Sequence, residues 1–374
     1  MTTSPSAPTM APATTLVTGA SGFLGCHVAR QLVAGGESVR VLLRPSSSNR
    51  AISDLPLEYV TGDLRDAESL ARAMRGIRHV YHVAADYRLW AKKPQDIYDS
   101  NVGGTKNLLA AAKQAGVELL IYTSTVATIA VDRRLPGDSS AAQAANGGDA
   151  GHRTNAAWPN EFTDAKLEEM IGHYKRSKWQ AEREAREAAS SGLPVIVAMP
   201  TTPLGPWDWK PTPTGKIIVD FLNGRMPGYV ETGLNFVGVE DCAAGHLLIA
   251  QRGKIGERYL LGAENLTLKS LLDLLAGITG LPAPRLKIPH GLALTAAYAE
   301  TAFSRLLGRE PQIPVEGVKI AQHMMFVDAT RAERELGFRP APVAAALERA
   351  VRWYEANGYV KKSRAKRIVH AAAA

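Results

Sequence analysis

The stretch Leu16-Val17-Thr18-Gly19-Ala20-Ser21-Gly22-Phe23-Leu24-Gly25 decides how this chain folds. Residues 14–18 are a short apolar run, glycines stand at 19, 22 and 25, and apolar residues recur at helical spacing over Phe23–Ala34 until Gly35-Gly36 offers a C-cap. Gly19 predicts a tight turn, Gly22 a close approach of the backbone to a pyrophosphate, and Gly25 close packing of the helix on the sheet. Phosphates would sit at the positive helix end, among the amides of Ser21, Gly22, Phe23 and Leu24. A glycine repeat alone also occurs in ordinary turns. The strand before it and the helix after it make this one a dinucleotide seat.

The same unit repeats outward from that turn. Strand patterns recur at 38–43, 58–61, 79–83, 119–123 and 194–199, with helix patterns between them, notably at 94–116 and 163–190. This alternation predicts an α/β fold with a Rossmann-type, doubly wound parallel sheet and a smaller C-terminal α/β substrate-binding unit. The chain divides into a disordered arm (1–13), an NAD(P)-binding Rossmann domain (14–199, with 235–262 returning to it), the substrate-binding unit (200–234 and 263–360) and a basic tail (361–374). Residues 135–157 lack periodic apolar residues and read as a surface insertion, placed where a lid would lie.

Of the formal charge of +8, Lys361, Lys362, Arg364, Lys366 and Arg367 carry five, so the basicity belongs to the tail. A solvated tail is the plain reading, and weak peripheral contact with anionic lipid is the alternative. No nucleic-acid-binding pattern accompanies it. Two cysteines, Cys26 and Cys242, exclude a disulfide framework and fit a reducing cytoplasm. The N-terminus has neither the basic start nor the apolar core of a signal peptide, and the continuous apolar runs are too short to span a bilayer. The nine histidines lack metal-ligand spacing, so no metal is expected.

The second strand ends at Leu43-Arg44-Pro45-Ser46, where an acidic residue would accept from a ribose 2′-hydroxyl. Arg44 instead suits a 2′-phosphate, which favours NADP over NAD, and NAD stays possible. Asp63 either accepts from an adenine amino group or caps a turn. Tyr174 and Lys178, four residues apart on a helix, share one face. An ammonium beside a phenol is expected to lower its pKa and make it a proton carrier. Trp207, Trp209, Tyr87 and Trp90 could line an apolar cleft for a ring-shaped substrate, and core packing is the alternative for each.

Taken together, Thr18-Gly19-x-x-Gly22-x-x-Gly25, Gly62-Asp63-Leu64, Val83-Ala84-Ala85, Asn101-Val102-Gly103-Gly104-Thr105, Tyr122-Thr123-Ser124-Thr125, Tyr174-x-x-x-Lys178 and Asn235-Phe236-Val237 resemble the extended short-chain dehydrogenases/reductases over residues 14 to 358. Within that family the chain is similar to the dihydroflavonol-4-reductase-like branch, and most of all to the bacterial hopanoid-associated sugar epimerase group. The resemblance implies that Tyr174 is the acid/base, Lys178 its electrostatic partner and Thr125 the hydroxyl that orients the substrate oxygen, with Ser124 as the fallback. It puts Leu64, Ala84, Ala85 and Asn101 along the cofactor wall and Pro200 and Thr201 at the nicotinamide carboxamide. It further implies a small-molecule substrate and a homodimer. Three activities are open: NADPH-dependent reduction of a ketone or aldehyde, nucleotide-sugar epimerisation or dehydration on tightly held NAD, and a non-catalytic NADP-sensing scaffold. The long insertion before Tyr174 and His173 beside it depart from the family's pattern.

Overall fold

Continuous burial along the inner strands builds the core. Strands β1 (Thr15–Thr18), β2 (Val39–Leu43), β3 (Glu58–Thr61), β4 (His79–His82), β5 (Leu119–Thr123) and β6 (Val195–Pro200) all run parallel in one sheet. Their order is β6-β5-β4-β1-β2-β3, with the strand Arg258–Leu261 added in parallel outside β6. Leu16, Val80, Leu120, Tyr122 and Val197 face the helices Ala67–Ala73, Gly104–Ala115 and Gly172–Ser190. Val17, Val41, Tyr81, Ile121 and Ile196 face α1 (Phe23–Ala34) and the helices Val239–Arg252 and Thr330–Leu336. Both faces are covered over the inner strands, which is why β5 and β6 are almost wholly apolar, whereas the edge strand β3 stays half-exposed. Chain order reverses between β1 and β4, so the crevice beyond their C-terminal ends is the switch point where this architecture binds ligands.

The computed structural model describes residues 13–129, 158–307, 309–311 and 314–368. The insertion 135–157, nearly all of the arm and the end of the tail fall outside them. A third cluster, with Phe221, Leu222, Phe236, Leu271, Leu347 and Tyr354, forms the core of the C-terminal unit. A four-stranded sheet lies beside it: Thr202–Leu204, Glu264–Thr267 and Met324–Met325 all pair with Gly233–Gly238. The strand 233–238, expected in part to return to the large sheet, therefore sits in the second sheet, while Arg258–Leu261 does return. Ala365 and Ile368 of the basic tail pack on the third cluster.

Two helices differ from their sequence patterns. The one expected from residue 163 begins at Gly172, because Ile171 is extended and Gly172 takes a φ of +82°. The one expected over 94–116 contains a π-helical segment, Asp99–Gly103, which turns Asn101 into the interior.

Candidate active site

Steric fit shapes the turn after β1. Gly19 has a φ of +76°, and a Cβ there would lie 2.6 Å from the Ala84 amide nitrogen. The chain leaving β1 and the chain leaving β4 thus touch backbone to backbone, which gives Ala84 its place in the wall. Thr18 ties the two together: its hydroxyl accepts from the Ala84 amide at 3.3 Å and pairs with His82 Nδ1 at 2.7 Å. A Cβ on Gly25 would lie 2.1 Å from the Gly19 carbonyl oxygen. The helix therefore packs on the turn itself at Gly25, as well as on the sheet through Val28, Ala29 and Leu32. Gly22 caps α1 without a side-chain hydrogen bond. A cradle that methyl groups would fill, at an uncapped helix N-terminus, fits the diphosphate of a dinucleotide.

Arg44 is exposed at the end of β2 and has no ion pair among the described residues. Asp63 is already engaged: Arg65 donates to both carboxylate oxygens, at 2.9 and 2.8 Å, and its backbone amide donates as well. These bonds hold the Asp63 carboxyl below its usual range. Leu64 packs where a Cβ on Gly104 would stand, only 2.7 Å away. Pro200 ends β6, and the Thr201 amide and hydroxyl both donate to the Leu261 carbonyl, at 3.1 and 3.2 Å.

The helix Gly172–Ser190 presents Tyr174, Lys178 and Glu182 along one face, at successive steps of four residues. The Thr125 and Tyr87 side chains both lie close enough to Tyr174 to influence its phenol. Burial pushes the phenol up to about 12, against the pull of Thr125. The expected lowering by Lys178 does not occur, because the ammonium is drawn elsewhere. Its Nζ donates to the Tyr122 hydroxyl at 2.9 Å and to the Thr123 carbonyl at 2.8 Å. Burial brings Lys178 down to about 7, with Glu182 acting in the opposite direction.

Glu182 organises the far end of this face. It accepts from Ser124 Oγ at 2.5 Å, from Thr128 Oγ1 at 2.6 Å and from Arg258 at 3.1 Å. Ser124, the fallback for Thr125, is thereby committed away from Tyr174. Asn101 locks the wall to the helix: its side-chain amide accepts from the Asp86 amide at 2.7 Å and donates to the Asp86 carbonyl and to Ser177 Oγ, each at 2.9 Å. Ser177 Oγ in turn donates to the Tyr174 carbonyl at 2.8 Å. Sequence reasoning gave no role to Tyr122, Ser177 or Glu182. The step of four from Tyr174 to Lys178, continued once more, would have found Glu182.

Lys175 is only 4% exposed, and its Nζ donates to the Met325 thioether at 3.7 Å. Burial lowers it to about 8. Trp209 packs edge-on to Trp353, 4.8 Å between centroids, with the Arg50 guanidinium 3.6 Å over its ring, and Arg30 covers Trp207 at 3.9 Å. Both tryptophans are thus held by protein groups, the packing alternative. Burial pushes the Cys26 thiol up to about 12, so it is inert. No metal-ligand cluster exists among the described residues. A groove of about 680 Å³, lined by Tyr98, Val102, Arg176 and Gln180 among others, runs outside the helix pair and contains none of the site side chains.

The pattern of the NAD dependent epimerase/dehydratase family matches residues 15–262. A Synechocystis sp. protein provisionally named dihydroflavonol 4-reductase is 44% identical over 92% of this chain and 95% of its own length. Sterol demethylase protein B of Methylococcus capsulatus is 34% identical over 93% of this chain and 100% of its own. The crystal structure of gox2253 superposes with a TM-score of 0.78 at 40% identity, covering 94% of this chain and 100% of that one.

Proposed function

Because the chain belongs to the NAD dependent epimerase/dehydratase family and is an NAD(P)-dependent oxidoreductase, we propose that it reduces a ketone or aldehyde with NADPH, Tyr174 giving up the proton. One observation carries this reading: Tyr174 and Lys178 share one face of the helix Gly172–Ser190, and the Lys178 ammonium is anchored on the Thr123 carbonyl, two residues before Thr125. A phenolic proton donor so placed suits carbonyl reduction at neutral pH.

A nicotinamide dinucleotide, when bound, supplies the hydride. The turn Gly19, Ser21, Gly22, Phe23 and Leu24 would hold its diphosphate, Arg44 a 2′-phosphate, Asp63 and Leu64 the adenine side, Ala84, Ala85 and Asn101 the wall, and Pro200 and Thr201 the carboxamide end. Thr125 hydrogen-bonds the carbonyl oxygen and orients it. Tyr174 donates its phenolic proton to that oxygen as it gains negative charge. Lys178 uses two of its donors on Tyr122 and Thr123, leaving the third for a ribose hydroxyl. Relatives named for a flavonol and a sterol support a bulky, ring-shaped substrate, a polycyclic polyprenoid such as a hopanoid among them. The helices Gly104–Ala115 and Gly172–Ser190 are the proposed homodimer contact.

Replacing Tyr174 by Phe should lower kcat between about 10² and 10⁴-fold, with NADPH affinity within about twofold of wild type by titration. Retained turnover would remove Tyr174 from its role. Purified protein should take up and release NADPH. Stoichiometric NAD that survives gel filtration would replace the reductase by an epimerase or dehydratase.

A further inference from the structure

The helix His290–Leu306 is inverted relative to an ordinary surface helix. Its inward side buries small and polar residues: Ala297 and Ser304 are fully buried, and the Thr301 hydroxyl is enclosed without a partner. Its outward side carries Leu292, Ala296, Ala299, Phe303 and Leu306 at steps of three and four. Leu292 is 63% exposed, Phe303 54% and Leu306 82%, and Leu307 continues the row. Glu300 lies off this row and is held by the Ser304 hydroxyl at 2.7 Å.

Cations accompany the row: Arg305 stands on the same helix, the Arg309 guanidinium lies 5.5 Å from the Phe303 ring centroid and the Lys319 ammonium 5.9 Å from that of Tyr298. Arg285, Arg305 and Lys319 are exposed and have no carboxylate partner among the described residues, whereas Glu310 is the single exposed acid between 285 and 319 in those residues. An apolar strip with neighbouring cations matches the boundary between anionic headgroups and acyl chains. A second copy of this face would instead bring like charges together.

We propose that the helix His290–Leu306 is a monotopic docking surface for an anionic lipid bilayer. It rests on the bilayer without crossing it, since no described helix is long and apolar enough to span a membrane. The surface adjoins the mouth of the site. The helix packs on Val315–Ile320, where Glu316 lies against Gly172 and Gly317 faces Leu89. Gly172 opens the helix that carries Tyr174. Docking here places the active site at the membrane surface, where apolar molecules dissolve.

Flotation of the full chain with vesicles of phosphatidylcholine, or of phosphatidylcholine with 30% phosphatidylglycerol, tests this. Wild type should bind the anionic vesicles, and a Leu292→Ser, Phe303→Ser, Leu306→Ser triple variant should bind at least about tenfold less. Exposed positions should leave thermal melting unchanged, which confirms a folded variant. A Lys366→Gln, Arg367→Gln variant should keep most of the binding. The proposal is overturned by a wild type that stays with the unbound fraction, by a triple variant that floats like wild type, or by binding lost only with the tail charges. It is also overturned if the triple variant turns a lipid-free dimer into a monomer in sedimentation, because the face would then be a contact between copies.

Discussion

The glycine turn and the Tyr174 helix meet at one cleft but are built on different physics. In the turn, backbone conformation and missing Cβ atoms decide everything. Gly19 touches Ala84 and Gly25 touches Gly19, at distances no other residue tolerates. In the helix the backbone is ordinary and the side chains decide. Tyr174, Lys178 and Glu182 are spaced for mutual contact, yet Tyr122, Thr123, Ser124 and Arg258 redirect two of the three. A turn fixed by sterics has one solution. A row of buried ionisable groups settles according to every neighbour that enters its low-dielectric surroundings.

If the turn is set by sterics, one methyl group should disrupt it. Gly25→Ala should lower unfolding stability by about 2–3 kcal/mol and NADPH affinity by at least roughly tenfold, because the new Cβ meets backbone and not a yielding side chain. Denaturant melts and cofactor titration measure both. Wild-type values would mean that the turn flexes, and the contrast with the helix would disappear.

This contrast also explains what the sequence revealed. The glycine spacing, the apolar strands and the switch point follow from residue type and period, so the doubly wound sheet could be read directly. Tyr174 and Lys178 were recognisable for the same reason. The direction of the Lys178 ammonium was not, because Tyr122 and Thr123 lie more than fifty residues away in sequence and meet it only across the sheet. Nor was the late helix start at Gly172, where a positive φ overrides a continuous helical pattern. The inverted helix His290–Leu306 escaped because periodicity shows that a helix has an apolar side, not which side turns inward.

Arg44 tests the rim of the turn, where a side chain and not the backbone is expected to choose the ligand. Arg44→Asp should raise the Kd for NADPH by roughly 10- to 100-fold and change that for NADH by less than about threefold. Fluorescence titration separates the two. Equal losses would show that the exposed guanidinium reads no 2′-phosphate.

Lys175 gives the smallest effect and the clearest sign. Its ammonium is buried against a thioether with no carboxylate partner in the described structure, so the native state holds a charge that water would solvate better. Folding lowers its pKa from 10.5 to about 8. Below about pH 8 both folded and unfolded chains carry the charge, and the native state bears the whole desolvation cost. Between about 8 and 10.5 the native lysine releases its proton while the unfolded one keeps it, so wild-type stability rises with pH across that window. Above it both states are neutral and the penalty is gone. Lys175→Met keeps the stem and removes the charge, so it should stabilise the protein by roughly 1–2 kcal/mol at pH 7, with the advantage shrinking steadily as pH climbs through the window. Urea melts of both proteins at several pH values read this directly. A methionine variant less stable than wild type at pH 7 would mean that the ammonium has an anionic partner in the folded chain, and the helix face would then be better satisfied than the turn it was contrasted with.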